Sequence, residues 1–356
     1  MSLYRKHLGL IFDDDFMTDT GKWTSSPSNA CVLNEAAGLL RMHHSDVGTV
    51  ALIDLPKTES NLAFQVSANY LPTAEGDEGG IVVWQDAVNK LEFVESLDTR
   101  TDEYLVWRAV KSGNYWKFYA KRNDAWEFFD SAPLNASMIG ITLKGASQDK
   151  FVNLDVDRTI LCKGLNVQVG NLKQGWRVEL VSEYDEVIES RTAPQHFSGV
   201  DISLPSLPFF GKILVYDDTN TKLEETESMD LYGGDAFLYG TDMELLWDGV
   251  ELSRFNETYL GSLYDNQILK KLVVRNPSEH TALDVRVTVE QYQSRFGYEW
   301  VDVALDTGDN PGEFGDVVSL GDIVSQGSAP FWVRFLKSGD RFTLKPAKFI
   351  LDVSHS

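Results

Sequence analysis

The chain is 356 residues long, 43% hydrophobic and 12% aromatic, which is enough apolar side chain to build cores and excludes global disorder. Asp and Glu total 54 against 32 Lys and Arg, a formal net charge of −22. A surface of that sign repels phosphate backbones and anionic headgroups, so no nucleic-acid partner is expected, and without a run of ~18 uninterrupted apolar residues no membrane insertion is expected either.

At ~100 to 200 residues per domain the length predicts two or three domains, with three preferred. The opening MSLYRKHLGLIFDDDF has basic residues but no apolar run of leader length before the aspartates, so no export signal is expected. Short apolar runs rich in Val, Ile, Trp, Tyr and Phe then predict strands over Asn61 to Leu71, Ile81 to Trp84, Lys90 to Ser96, Tyr104 to Val110, Tyr115 to Lys121 and Trp126 to Asp130. Gln85-Asp86 and Ser112-Gly113-Asn114 supply turns between them. Phe151 to Asp157 alternates with period two and closes a first unit, 1–161.

A second unit, 162–238, carries Val167, Trp176, Val178, Leu180, Ile213 and Val215 on short strands, and Gly233-Gly234 with Gly240 marks a hinge after it. A third unit, 239–356, holds ALDVRVTVE, in which Leu283, Val285, Val287 and Val289 share one face while Asp284, Arg286, Thr288 and Glu290 share the other. No amphipathic helix longer than about three turns is found, so the predicted class is all-β. Cys31 and Cys162 form no CxxC and have no His at metal spacing, so they are expected to be reduced, buried thiols, with a bridge between them left open.

Four segments carry a family resemblance: IFDDDFMTDTGKWTSS, GGIVVWQDAVNKLEFVES, LVWRAVKSGNYWKFYAKRNDAWEFF and MIGITLKGASQDKFVNLDVD. Together they resemble concanavalin A-like glucanase and lectin sandwiches, most closely the accessory modules of some β-xylosidases and laminin-G-like domains. The resemblance covers roughly the first 160 residues and implies a jelly-roll sandwich, followed by two smaller immunoglobulin-like sandwiches. The phrases PSLPFFGKILVYDD and VVSLGDIVSQGSAPFWVRFLKSGD resemble modules of bacteriophage tail, baseplate and collar proteins. That likeness implies a virion component, made in the host cytoplasm, whose partners are other virion proteins or copies of itself.

Hydrolysis of a glycosidic bond on such a fold calls for carboxylates alternating along one strand, as in E-x-D-x-E, because period-two side chains share a face and can flank one bond. The chain has no such run. Glu75, Asp77 and Glu78 fall in a Gly-rich loop, Glu92 and Glu95 are predicted on opposite faces, and Glu225 with Glu227 lies in a polar tail. No catalytic residue is therefore assigned.

Carbohydrate binding asks only for an aromatic platform under the apolar face of a sugar and a few polar groups for its hydroxyls. Trp84, Trp107, Trp116, Tyr119 and Trp126 are candidate platforms, with Gln85, Asp86 and Asn114 as polar partners, although most tryptophans are expected in the core. Asp13 and Asp15, with Asp155 from the closing strand, are candidate calcium ligands, as in related sandwiches; hard oxygen donors suit the ion, while the EF-hand pattern is absent. No other cofactor is called for. His43 and His44 are predicted on opposite faces, and His196 and His280 fall in loops without a nucleophile signature. The resulting expectation is a non-enzymatic virion protein with a lectin-like domain for attachment to a cell-surface glycan. The alternative is a glycan-binding accessory module or glycoside hydrolase of a polysaccharide-degrading system.

Overall fold

A computed structural model describes residues 3–33, 38–44, 48–97, 105–145, 153–194, 199–253, 255, 258–261, 267–291, 300–336 and 348–355. Among these residues there is no α-helix, and the fold is all-β, as the periodicity predicts. The first strands are β1 (Leu3–His7), β2 (Leu10–Asp14), β3 (Thr24–Ser26), β4 (Cys31–Leu33), β5 (Leu40–Met42), β6 (Thr49–Asp54) and β7 (Asn61–Asn69). They continue with β8 (Glu78–Trp84), β9 (Lys90–Ser96), β10 (Leu105–Ser112), β11 (Tyr115–Arg122), β12 (Ala125–Pro133), β13 (Met138–Lys144) and β14 (Leu154–Cys162).

Two sheets share one core in this part of the chain. An eight-stranded sheet runs β12-β11-β10-β7-β14-β5-β4 with β2 also on β14, and a five-stranded sheet runs β3-β6-β13-β8-β9. Period-two alternation sends Leu62, Phe64, Val66, Trp107 and Trp116 from the first sheet, and Ile81, Val83, Ile139 and Ile141 from the second, into a common buried layer. Burial of each such large side chain stabilises the fold by about 1.5–3 kcal/mol.

Part of the other face of the eight-stranded sheet is covered as well. Ala63, Ile160 and Cys162 point away from the first core and join a second one with Val167, Leu180, Ile213 and Phe237. Gln65 on the same face donates from Nε2 to the Leu207 carbonyl at 2.8 Å, and Trp126 donates from Nε1 to the Pro205 carbonyl at 3.0 Å. Between them Arg108, 4% exposed, donates to Gln65 Oε1 from Nε at 3.2 Å and from Nη2 at 2.6 Å, while its guanidinium lies 3.7 Å from the Trp126 ring centroid. Burial pushes the Arg108 pKa down to about 9, so the group keeps its charge at neutral pH.

The second core is enclosed by a sheet of Asn166–Gly170, Val200–Ser203, Ala236–Tyr239 and β1, together with a sheet of Arg177–Ser182, Val187–Thr192, Phe209–Tyr216, Lys222–Glu225 and Met229–Leu231. The first strand thus pairs with residues far along the chain, Leu3 opposite Tyr239 and Tyr4 opposite Leu238. A third core, with Leu272, Val274, Val285, Val287, Phe331 and Val333, lies between a five-stranded and a three-stranded sheet of residues after 243.

Two local expectations are corrected, and the open question of a Cys31–Cys162 bridge is answered. Leu283 does not share the Val285 face: it is 50% exposed, whereas Val285 and Val287 are fully buried. The register shifts between Ala282 and Val285, and Asp284 takes φ 51°, so a bulge inserts a residue and inverts the alternation. Gly233-Gly234 is no free hinge, because a Cβ on Gly233 would lie 1.8 Å from the Gly164 carbonyl oxygen. Asp235 beside it is fully buried and accepts from the amides of Gly9 at 2.7 Å and Tyr232 at 2.9 Å. Cys31 and Cys162 are both free thiols. Cys31 is level with Met42 and, through it, Leu154, eight residues along β14 from Cys162, or about 26 Å at ~3.3 Å per residue, far beyond disulfide reach. Burial pushes their pKa values up to about 11 and about 12 respectively.

Gly140, at the centre of the five-stranded sheet between Leu52 of β6 and Val82 of β8, has no room for a side chain. A Cβ there would lie 1.8 Å from the Ala51 carbonyl oxygen. Gly140→Ala is therefore expected to destabilise the fold by about 1–3 kcal/mol, the usual cost of overpacking. Urea unfolding of the first core checks this, and an unchanged midpoint contradicts it.

Candidate functional site

Among the described residues the outer face of the five-stranded sheet contributes to none of the three cores, although Val82 and Thr142 at its centre are 0% and 1% exposed. Along β8 the residues Glu78, Gly80, Val82 and Trp84 point outward, flanked on β13 by Lys144, Thr142, Gly140 and Met138 and on β9 by Ser96, Val94, Glu92 and Lys90. The register explains how the charged residues meet. Lys144 lies two rows from Glu92 and one strand beyond β8, so the line joining them crosses Gly80. With no side chain at Gly80, Lys144 Nζ reaches Glu92 Oε2 at 2.5 Å and Glu78 Oε2 at 3.5 Å. Lys90 Nζ lies 2.8 Å from Glu92 Oε1 and 5.5 Å from the Trp84 ring centroid.

The result is a connected row of Glu78, Lys144, Glu92 and Lys90 ending at a half-buried indole, above a floor of Gly80, Val82, Gly140 and Thr142. Burial alone would raise the Glu92 pKa, but hydrogen bonds and charge from Lys144 and Lys90 outweigh it and hold the carboxyl below its ordinary value. Lys144 loses stability as a cation through burial, and its contacts with Glu92 and Glu78 more than restore it, so its pKa is raised. Such a face offers ammonium donors, carboxylate acceptors and one aromatic surface side by side.

Among the sequence-predicted sugar ligands, only Trp84 belongs to this arrangement, with Gln85 and Asp86 on its rim. Asp86 is occupied locally: Oδ1 accepts from the amides of Val88 at 2.8 Å and Asn89 at 2.7 Å, and Oδ2 accepts from Asn89 Nδ2 at 2.8 Å. The Asn89 side chain and the two amides lower its pKa. Trp107 and Trp116 are 1% and 0% exposed and belong to the core, where Trp116 Nε1 donates to the Leu134 carbonyl at 3.2 Å. They cannot act as platforms, because their rings are consumed by packing between the sheets. Asn114 is exposed at the β10–β11 turn, its carbonyl accepting from the Leu134 amide at 2.9 Å. Tyr119 lies on the other sheet, edge-on to Phe128 at 5.7 Å, and Trp126 is spent on the joint with the second core.

The predicted calcium ligands are not brought together. Asp13 makes a two-point contact with Arg158 at 2.9 and 2.7 Å, and Asp155 a two-point contact with Arg41 at 2.7 and 2.8 Å. On β14, Asp13 is level with Ile160, five residues from Asp155. Asp15 is exposed and its carboxylate accepts from the Met17 amide at 3.1 Å. Among the described residues no cluster of three or more His, Cys, Asp or Glu is arranged to hold a metal. His43 faces Asn153 at 3.0 Å, and His196 lies outside the described residues.

Sequence reasoning passed over Lys90 and Lys144, placed Glu78 in a loop, and set Glu92 aside with Glu95. The opposite facing of Glu92 and Glu95 is correct: Glu92 points outward, while Glu95, 6% exposed, points inward with Leu91 and Phe93. Glu78 begins a strand instead of lying in a loop. Lys144 is 52 residues from Glu92, so no local pattern reveals their meeting.

No family model matches the chain, and no curated protein matches it. Among solved structures it is similar to the GH43 BlXynB protein of Bacillus licheniformis, at 17% identity and TM-score 0.35, over 42% of this chain and 39% of that one. It is similar to a xylan β-1,4-xylosidase from Bacillus halodurans C-125, at 14% identity and TM-score 0.35, over 42% of this chain and 38% of that one. A pseudo β-1,3-glucanase of Mycobacterium tuberculosis matches at 11% identity and TM-score 0.29, over 43% of this chain and 98% of that one. The chain thus spans less than half the length of the two Bacillus proteins, and at these TM-scores the likenesses carry no assignment of activity.

Two measurements test the electrostatics. With Asp13 and Asp155 each engaged by an arginine, millimolar calcium is expected to leave the melting temperature unchanged and to give no calorimetric heat; a saturable heat contradicts this. Glu92 ionises more readily in the folded protein than in the unfolded chain, where its ordinary value is 4.5. Its stabilising effect is therefore complete above that value and is lost as pH falls through the lower folded one. Glu92→Gln is expected to reduce the acid-side slope of stability, read by urea unfolding between pH 6 and about pH 3.

Proposed function

We propose that this chain is a non-enzymatic glycan-binding protein. The contact surface is the outer face of the five-stranded sheet, within a jelly-roll sandwich of the concanavalin A-like kind. The units 162–238 and 239–356 serve as spacers or docking modules. The observation that carries the proposal is Trp84 beside the Glu78–Lys144–Glu92–Lys90 row, on a sheet face that no core claims. An indole supports the apolar face of a sugar ring, and the row supplies both donors and acceptors for hydroxyls. The ammonium groups are matched by carboxylates, which favours a neutral polysaccharide over an anionic one.

Absence of catalysis is supported by the same geometry. Glycoside hydrolysis needs a carboxyl that stays protonated to serve as acid, with a raised pKa. Glu92 is held in the opposite state by two lysines. The bacteriophage setting rests on the two sequence phrases alone.

A glycan array of neutral plant and bacterial polysaccharides is expected to register binding, and Trp84→Ala to weaken it by about tenfold while leaving the melting curve intact. An array without signal, or equal binding by the variant, overturns the proposal. Sugar release by the protein from any bound polysaccharide would overturn the non-enzymatic assignment.

A further inference from the structure

A second polar cluster, beside a half-open cavity, lies far along the chain from Trp84. In β1 the pairing with Ala236–Tyr239 slips: Arg5 is opposite Phe237 and His7 is opposite Ala236, leaving Lys6 as an extra residue. A bulge re-aims the side chain it carries, and Lys6 turns toward the third core. Its side chain is 8% exposed, and its ammonium pairs with Glu244 and lies 3.3 Å from Glu251 Oε1. Arg275 also pairs with Glu244, so two cations face two carboxylates.

Beside this cluster is a cavity of about 180 Å³ lined by Lys6, His7, Leu238, Glu251, Ser253 and Phe255. The Phe255 ring is seated by two glycines: a Cβ on Gly170 would lie 2.6 Å from Phe255 Cε1, and one on Gly199 would lie 3.2 Å from Cδ1. Burial, with the charge of Lys6, lowers the His7 pKa, which leaves a neutral imidazole able both to donate and to accept.

We propose that this cavity, formed where β1 meets the third unit, is a binding site for a single neutral sugar ring or a cyclic polyol of that size. Its lining is aromatic and aliphatic at Phe255, Leu238 and Leu252, and carries donors and acceptors at Lys6, His7, Glu251 and Ser253. That combination suits a ring with one apolar face and hydroxyls around its rim. The volume is below the ~300 Å³ low end of drug-sized pockets and matches a single ring. The balanced charges of Lys6, Arg275, Glu244 and Glu251 give an anion no advantage. The site is independent of the Trp84 face.

The test is amide chemical-shift titration of the full chain with D-glucose, D-xylose and myo-inositol, with inorganic phosphate in parallel. Saturable shifts at Lys6, Ser253 and Phe255 are expected with at least one of the three ring compounds and not with phosphate. Phe255→Ala and the milder Glu251→Ala should each weaken them by about tenfold, and Trp84→Ala should leave them unchanged. Absence of saturable shifts with all three compounds, saturation by phosphate, or titration undiminished in Glu251→Ala overturns the proposal. Failure of glycan binding at Trp84 would not touch it.

Discussion

The eight-stranded sheet packs on the first core with one face and meets the second core with part of the other, through Ala63, Gln65, Arg108, Ile160 and Cys162, and the arrangement of the rest follows from that. On β7 the residues Leu62, Phe64 and Val66 fill the first core, while Ala63 and Gln65 face the second. One sheet therefore holds two cores in register, and the five-stranded sheet is left as the layer of the first unit with an outer face outside all three cores. The position of the candidate site is a consequence of this asymmetry.

The joint between the first two cores is made with an unusual group. Buried charges are ordinarily paired, because desolvating an ion costs several kcal/mol. Arg108 has an amide oxygen and an indole face in place of a carboxylate. The register aligns Ile160, Gln65, Arg108, Tyr119 and Phe128 as one row across five strands on this face. That row turns Arg108 toward Gln65, and Trp126 covers its guanidinium while reaching Pro205. Cation–π contact and two hydrogen bonds to one neutral acceptor, Gln65 Oε1, replace an ion pair, which ties the sheet to the second core without placing a second charge in the joint.

On the opposite sheet the charges are exposed enough to be useful and close enough to be ordered. Gly80 makes this possible by having no side chain where Lys144 and Glu92 meet. The stretch Gly79 to Ser96 was legible as a fold signature: its two apolar bursts are β8 and β9, and the Gln85-Asp86 turn joins them. Its polar residues were harder to place. Asp86, attractive as a free carboxylate near Trp84, is absorbed by Asn89 and two backbone amides. Glu92, set aside for lacking an acidic partner on its own face, gains two lysines instead.

The amino-acid order by itself determined the all-β class, most strand positions and the separation of Glu92 from Glu95, since all of these depend on a period of two along a few consecutive residues. It also identified Trp84 as a candidate. Only the tertiary structure decided which tryptophans were free, that Asp13 and Asp155 each meet an arginine, that Lys144 joins Glu92, and that β1 pairs with residues 236–239. Those are cross-strand relations set by register and by which sheet face is covered. A bulge, as at Asp284 or Lys6, shifts them by one residue and reverses the facing of every side chain beyond it.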